Sequence, residues 1–134
     1  MSLITLDNTT DKDAFINLIT KNNELPDLII CYFTPSWCGP CKMISPTVTN
    51  IANNNTHLKV IKIDIDECEE ISEFCEISCM PTFKFYKNNN LEEVHSFSGA
   101  DSNELIKTIE LLLKTEEHTN QNQYDNLNNN VKDF

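Results

Sequence analysis

One short apolar segment limits the folds open to this chain more than any other feature. Residues 28–33 read Leu-Ile-Ile-Cys-Tyr-Phe, and a threonine, a proline and a serine follow directly. A strand with one face in water alternates apolar and polar residues, whereas a continuous apolar run is typical of a strand covered on both faces. The segment therefore predicts a central strand with helices on both sides of its sheet.

The segments around this strand alternate between strand and helix patterns. Strands are predicted at residues 3–6, 58–65, 82–86 and 91–97, with a turn at 87–90 joining the last two. Helical spacing is predicted for residues 11–22, after residue 41, between 68 and 75, and from 101 onwards. Asp66 is expected to cap the third of these helices, and Asp101 the fourth. The order βαβαβαββα predicts an α/β fold of three layers, α/β/α, whose central mixed sheet ends in an antiparallel hairpin.

A change of composition follows this pattern. Six of the twenty residues from Thr115 to Phe134 are asparagine, and apolar residues are sparse among them. Such a segment buries too little apolar surface to offset the entropy lost on ordering. We predict one domain over residues 1–114 and a disordered tail over 115–134.

Charge and targeting signals restrict the function classes. With 21 acidic and 10 basic residues, the net charge is -11, which repels phosphate backbones and argues against nucleic acid as a partner. The longest apolar run is too short to span a membrane, and no secretory or transit signal is recognised, so we expect a cytoplasmic protein that does not bind membranes. Because thiols stay reduced in that compartment, a motif among the six cysteines is expected to be catalytic or metal-binding.

The motif Cys38-Gly39-Pro40-Cys41 lies between the central strand and a helical pattern. Disulfide exchange needs a thiolate that attacks and a second thiol near enough to release the mixed disulfide. At the helix start, unpaired N–H groups and the helix dipole favour the thiolate of Cys38. Cys41, one turn further on, is expected to be more buried and to stay protonated until it is needed.

The residues around the two cysteines suit the same chemistry. Pro40 has a fixed φ and no N–H, so it starts a helix well and stiffens the loop between the sulfur atoms. Gly39 allows close approach of a partner backbone, and Trp37 offers a flat apolar surface on which a polypeptide can dock.

A zinc site is the alternative interpretation of these cysteines. Cys38 and Cys41, with Cys75 and Cys79 downstream, supply four thiols, which is the ligand number of a structural zinc site. The strand before the motif and the helix after it favour disulfide exchange, so we expect no metal.

Two motifs together resemble those of the thioredoxin family. They are Trp-Cys-Gly-Pro-Cys at residues 37–41 and Met-Pro-Thr-Phe at 80–83, supported by Pro46 and by Phe-Ser-Gly-Ala at 97–100. The similarity covers residues 3–114 and is closest to the eukaryotic cytosolic type. It implies the thioredoxin fold and a protein-disulfide reductase of cell redox homeostasis, in which Cys38 attacks and Cys41 resolves.

The resemblance also implies a docking surface. Pro81 would follow a cis peptide bond opposite the active cysteines, and the backbone of Met80 would pair with a substrate strand. The shallow apolar surface would consist of Trp37, Gly39, Pro40, Met80, Pro81, Gly99 and Ala100.

The expected partners follow from the same resemblance. Electrons would come from NADPH through a thioredoxin reductase, with no cofactor bound to this chain. The substrates would be disulfide-containing proteins such as peroxiredoxins and ribonucleotide reductase. We expect a monomer that takes part in electron transport.

Three further thiols stand where the eukaryotic cytosolic type carries extra cysteines that are oxidised or modified for regulation. They are Cys68, Cys75 and Cys79. We favour the simpler interpretation that they are reduced and fill space as small apolar side chains. Cys68 and Cys75 are seven residues apart, or about 10 Å along a helix, which exceeds the reach of a disulfide. Cys79, next to the docking residues, is the better candidate for a mixed disulfide.

One position departs from the family pattern. The family usually carries a buried aspartate six residues before the attacking cysteine, and this chain has Tyr32 there, which leaves Lys62 without that partner. A tyrosine is a poor base at neutral pH, so we expect either that the second step is slower or that water carries the proton. The alternative function is a binding or regulatory module with weakened catalysis, although the retention of both cysteines favours the enzyme.

Overall fold

A computed structural model describes residues 3–21 and 26–121. Its elements follow the predicted order βαβαβαββα. They are β1 (Leu3–Leu6), α1 (Lys12–Thr20), β2 (Leu28–Thr34), α2 (Gly39–Asn54), β3 (Leu58–Asp64), α3 (Glu69–Phe74), β4 (Thr82–Tyr86), β5 (His95–Ser98) and α4 (Ser102–Gln121).

The five strands form one mixed sheet in the order β1-β3-β2-β4-β5. β2 lies at the centre, parallel to β3 and antiparallel to β4, and β4 forms an antiparallel hairpin with β5. All seven residues of β2 are buried, as the continuous apolar run predicts. The mixed sheet and its terminal hairpin are therefore confirmed.

Helices cover both faces of the sheet. On β2, Ile29, Cys31 and Phe33 point to one face and belong to a single apolar core with residues of α1 and α3. Tyr32 points to the other face, where its hydroxyl donates to the carbonyl oxygen of Cys41 in α2. The helical members of the first core are Phe15, Ile19 and Ile71. The α/β/α layering is thus confirmed, with α1 and α3 on one face and α2 on the other.

The start of α3 differs from the prediction. We expected Asp66 to cap this helix, but the N-cap is Cys68, which makes no side-chain capping hydrogen bond. Two residues of turn separate Asp66 from the helix start. That turn is closed by Oδ1 of Asp64, which accepts the backbone N–H groups of Asp66 and Glu67 at 2.8 and 3.4 Å. The predicted cap is wrong because this turn separates Asp66 from the helix, and the carboxylate of Asp66 takes another partner.

Two element boundaries also shift. The return strand β5 begins at His95, four residues later than expected, because the N–H of Val94 still closes a loop on the carbonyl oxygen of Phe85 at 2.7 Å. The helix α4, considered by itself, continues to Gln121 and so passes the predicted start of the tail at Thr115. Residues 122–134 lie outside the described part of the chain, and the division into a domain and a disordered tail stays a prediction. None of the described helices is long and apolar enough to cross a membrane.

Candidate active site

The strand register collects the predicted site residues at one edge of the sheet. Phe33, near the end of β2, pairs with Thr82 at the start of β4, and Thr82 pairs with Ser98 at the end of β5. The segments beyond these residues therefore meet at the same edge: the loop before α2, the turn before β4, and the residues after β5. A hydrogen bond of 2.8 Å from the N–H of Gly99 to the carbonyl oxygen of Pro81 joins two of them.

The two cysteines occupy the first turn of α2. Cys38 is its N-cap, and a disulfide joins it to Cys41, with Cα atoms 5.2 Å apart. The backbone N–H of Cys41 donates to Sγ of Cys38 at 3.1 Å. Pro40, within this first turn, has no backbone N–H group and therefore adds no unpaired donor. A sulfur atom at this position accepts a hydrogen bond from a backbone N–H group and lies at the positive end of the helix dipole. Both interactions stabilise a thiolate once the disulfide is reduced.

The loop in front of α2 exposes a large apolar side chain, that of Trp37. Trp37 is 65% exposed, whereas Cys38 and Cys41 are 6% and 1% exposed. The indole Nε1 of Trp37 donates to Oδ2 of Asp66 at 2.8 Å, so this carboxylate orients the ring beside the disulfide. Sequence reasoning missed this role of Asp66, because a contact between residues 29 positions apart leaves no local signal.

The segment opposite the cysteines is anchored by hydroxyl groups. The peptide bond between Met80 and Pro81 is cis, as the resemblance implies. The hydroxyl of Thr82 donates to the carbonyl oxygen of Cys79 at 2.5 Å and lies 3.0 Å from the hydroxyl of Ser98, which is left to donate to it. Of the two residues after β5, Gly99 has a φ of +110°, which few side chains tolerate, and Ala100 is exposed. The threonine lies in the recognised motif, but its bond to Ser98 depends on the pairing of β4 with β5.

Tyr32 contacts the backbone of the resolving cysteine, Cys41. Its hydroxyl donates to the carbonyl oxygen of Cys41 at 3.0 Å, and its ring stacks on Phe83 with the ring centres 5.0 Å apart. Burial raises the pKa of Tyr32 above its ordinary value of 10.0, although hydrogen bonds with Thr34 and Ser45 oppose this. Tyr32 is therefore neutral at physiological pH and acts as a hydrogen-bond donor, which excludes it as the base.

A pocket of about 730 Å³ opens beside Tyr32 and Cys41. It lies on the face of the sheet that α2 covers, and its walls carry hydroxyl groups and three charged side chains. These lining residues are Tyr32, Thr34, Pro35, Ser36, Cys41, Lys42, Ser45, Pro46, Thr49, Asn50, Lys62 and Asp64.

The remaining cysteines differ from this pair in their surroundings. Cys31, Cys68 and Cys75 are buried, and burial is the main cause that raises the pKa of each thiol, in Cys75 to about 11. They are thus protonated at neutral pH and are poor nucleophiles. Cys79 is exposed and precedes Met80. Within the described part of the chain, no three histidine, cysteine or acidic side chains are grouped to hold a metal ion.

A cysteine pair bridged at the start of a helix, next to the central strand of a mixed α/β sheet, defines a thiol–disulfide oxidoreductase. The thioredoxin family model matches residues 7–111. The chain belongs to the thioredoxin family, and with the disulfide between Cys38 and Cys41 its function is that of a protein-disulfide reductase.

Individual relatives agree with this assignment. The thioredoxin of Ophiophagus hannah is 43% identical over 88 residues, which cover 66% of this chain and 82% of that protein. The solved thioredoxin of Plasmodium falciparum is 33% identical, with a TM-score of 0.68, covering 83% of this chain and 98% of its own. A structure on the thiol resolving mechanism in yeast mitochondrial 1-Cys peroxiredoxin via glutathione/thioredoxin systems is 31% identical, with a TM-score of 0.70, covering 81% and 94%.

Proposed function

We propose that Cys38 and Cys41 reduce protein disulfides in two exchange steps. The disulfide that joins them in the first turn of α2 is the observation that carries this proposal. In the reduced enzyme, the thiolate of Cys38 attacks one sulfur of the substrate disulfide, and the other substrate sulfur leaves as a thiolate and takes a proton from solvent. Cys41 then loses its proton and attacks Cys38, and the first substrate sulfur leaves in turn. The substrate gains two electrons, and the pair becomes the disulfide.

The roles of the two sulfur atoms follow from their positions. Cys38 is the N-cap and the less buried of the two, so it is both stabilised as a thiolate and more accessible. Cys41 is almost completely buried and is suited to the intramolecular step. Since both sulfur atoms are present and bonded to each other, we favour catalysis over a module that only binds partners.

The docking surface is the second part of the proposal. The exposed indole of Trp37 and the half-buried Met80 supply its apolar contacts, at the edge where β2, β4 and β5 meet. A substrate strand that pairs with the backbone at Met80 would bring its disulfide to Cys38. The whole surface comprises Trp37, Gly39, Pro40, Met80, Pro81, Gly99 and Ala100.

The proposed partners come from the family. A thioredoxin reductase would return electrons from NADPH to the disulfide, and peroxiredoxins and ribonucleotide reductase are proposed substrates. The structural relative that concerns a yeast mitochondrial 1-Cys peroxiredoxin supports the first of these substrates. We propose that the protein works as a monomer in cytoplasmic electron transport and redox homeostasis. The net charge of -11 supports partners that are neither nucleic acid nor anionic membrane.

Trapping of substrates tests the exchange mechanism. In Cys41→Ser the second step is blocked, so Cys38 is expected to stay in mixed disulfides with substrate proteins, visible as bands on non-reducing gels that dithiothreitol removes. The double variant Cys38→Ser/Cys41→Ser is the matched control and is expected to trap none of them. If Cys41→Ser traps no protein, or the double variant traps the same ones, the two-step mechanism is wrong.

The hydroxyl of Thr82 gives a test of the docking surface. In Thr82→Val the side chain keeps its shape but loses its bonds to Cys79 and Ser98, so the segment around Met80 is less well held. The KM for insulin is expected to rise about threefold to tenfold, because two hydrogen bonds that hold this segment are lost, with kcat nearly unchanged. Thr82→Ser should restore the KM. An unchanged KM in Thr82→Val, or an equal loss of activity toward a small aromatic disulfide, would contradict an anchoring role in docking.

A further inference from the structure

The hydroxyl of Tyr32 joins the central strand to the residue that carries the resolving sulfur, a contact that the exchange mechanism has not used. We infer that Tyr32 is a positioning residue, whose hydroxyl holds the backbone of Cys41 so that the resolving sulfur stays within bonding distance of Cys38. The inference rests on the proposed function, because it concerns the second exchange step.

Cys41 is held through both of its backbone polar groups. Its N–H donates to Sγ of Cys38 at 3.1 Å, and its carbonyl oxygen accepts from the hydroxyl of Tyr32 at 3.0 Å. The first bond joins Cys41 to the attacking cysteine, and the second joins it to β2. A shift of the Cys41 backbone would therefore weaken both bonds and move the resolving sulfur away from its target.

Tyr32 is itself held rigidly. It is 1% exposed, and its ring stacks on that of Phe83 with an angle of 3° between the ring planes. The side chains of Thr34 and Ser45 hydrogen-bond to the hydroxyl of Tyr32. The proton of this hydroxyl is left for the carbonyl oxygen of Cys41. A donor that is fixed by packing and by further hydrogen bonds constrains the group that accepts from it.

The helix alone holds this turn less firmly, because α2 contains Pro46. A proline has no N–H, so Pro46 gives none to the carbonyl oxygen of Lys42, four residues earlier. The N–H of Lys42 does bond to the carbonyl oxygen of Cys38, at 3.2 Å. One bond of the helix is therefore missing directly after the cysteine pair, and the bond from Tyr32 gives this turn an anchor on the sheet.

An anchored resolving cysteine favours the intramolecular step. Attack is faster, and the bridged product more stable, when the reacting atoms are held close to the geometry of attack. In this step Cys41 loses its proton to water, and its thiolate attacks Sγ of Cys38. The bond between Cys38 and the substrate sulfur breaks, and its electron pair leaves on that sulfur, which takes a proton from solvent. Tyr32 keeps its own proton throughout.

Two measurements test this inference. In a Cys79→Ser background, the reduced protein is mixed in excess with a chromogenic aromatic disulfide, and release of the coloured thiol is followed by stopped flow. The first phase reports attack by Cys38, and the second, independent of protein concentration, reports resolution by Cys41; Cys41→Ser is expected to lose it. The reduction potential of the pair is then measured in mixtures of reduced and oxidised dithiothreitol, with the free thiols counted after alkylation.

Tyr32→Phe is expected to slow the second phase about threefold, as for the loss of part of the free energy of one hydrogen bond. The disulfide should become about threefold easier to reduce, a rise of about 15 mV in potential at about 30 mV per factor of ten. The first phase should change less than the second, because the helix dipole still acts on Cys38. An unchanged second phase, an unchanged potential or an equally slowed first phase would overturn the inference.

Tyr86→Phe is the matched control. Tyr86 is 3% exposed, belongs to the apolar core on the other face of the sheet, and hydrogen-bonds to the thiol of Cys75. This variant loses the same hydroxyl and some stability, but it is expected to keep the second phase and the potential of the wild type. If it changes them as much as Tyr32→Phe does, the effect is a general loosening of the core and the inference is wrong.

The pH dependence separates positioning from proton transfer. A hydroxyl that only positions Cys41 should give the same ratio of second-phase rates between the wild type and Tyr32→Phe at every pH in the neutral range. A ratio that changes with pH would assign the proton transfer to Tyr32 and overturn the inference. If the wild type has no second phase at all, it is the proposed function that fails.

Discussion

Cys38→Ser is expected to lower the catalysed rate of insulin reduction about a thousandfold or more, so that only the reduction by dithiothreitol itself remains. A serine hydroxyl at the start of α2 cannot be held as an anion at neutral pH, and it cannot form the mixed disulfide. The other buried thiols do not replace Cys38, since burial raises the pKa values of Cys31, Cys68 and Cys75. The measurement is insulin precipitation at a fixed dithiothreitol concentration.

Cys68→Ser is the matched control for this prediction. Cys68 is buried at the N-cap of α3, a position where serine is well accepted, and its Sγ lies 3.4 Å from the carbonyl oxygen of Asp7, to which a hydroxyl can also donate. This variant is expected to keep the wild-type rate. If Cys38→Ser stays active, or Cys68→Ser loses activity while remaining folded, a thiol other than Cys38 attacks the substrate.

Tyr32→Asp is expected to lower the free energy of unfolding by about 3–5 kcal/mol, although it introduces the residue that the family usually carries. The aromatic ring of Tyr32 is fully buried in the centre of β2 and stacks on Phe83. Aspartate leaves a cavity there and buries a carboxylate, which the neighbouring charge of Lys62 offsets only in part. Urea unfolding of the oxidised proteins at neutral pH measures the difference.

Tyr32→Phe separates the ring from the hydroxyl. This variant keeps the stacking and loses the hydrogen bonds of the hydroxyl, among them the bond to the carbonyl oxygen of Cys41, so a loss of about 1 kcal/mol is expected. If Tyr32→Asp is as stable as the wild type, the packing role of the ring is wrong. If Tyr32→Phe loses as much as Tyr32→Asp, the hydroxyl rather than the ring is the main contribution.

The features that the sequence predicted well are those encoded within a few neighbouring residues. The run from Leu28 to Phe33 predicted a doubly covered strand, and every residue of β2 is buried. The spacing of Cys38 and Cys41 predicted a bridged pair at a helix start, because residues three apart lie on one side of the first turn. The cis peptide bond before Pro81 needed the resemblance to the family, since few such bonds are cis.

Predictions were less accurate where a local pattern has more than one structural outcome. The spacing of Asp66 and Glu69 fits a capping box, but an acidic residue shortly before a helix also fits a turn, and here Asp64 closes that turn. The start of β5 was placed too early because a loop closed by Phe85 and Val94 carries apolar residues like those of a strand.

By itself, the sequence determined the order of helices and strands, the central place of β2 and the cysteine pair, because periodicity and helix-start chemistry act between residues close in the chain. Only the tertiary structure decided that Asp66 holds Trp37, that Thr82 bonds to Ser98 across the hairpin, and that Lys62 shares a pocket with Cys41. These contacts join different elements, most of them far apart in the chain. They exist because the sheet register sets which side chains become neighbours, and register depends on the packing of the whole fold.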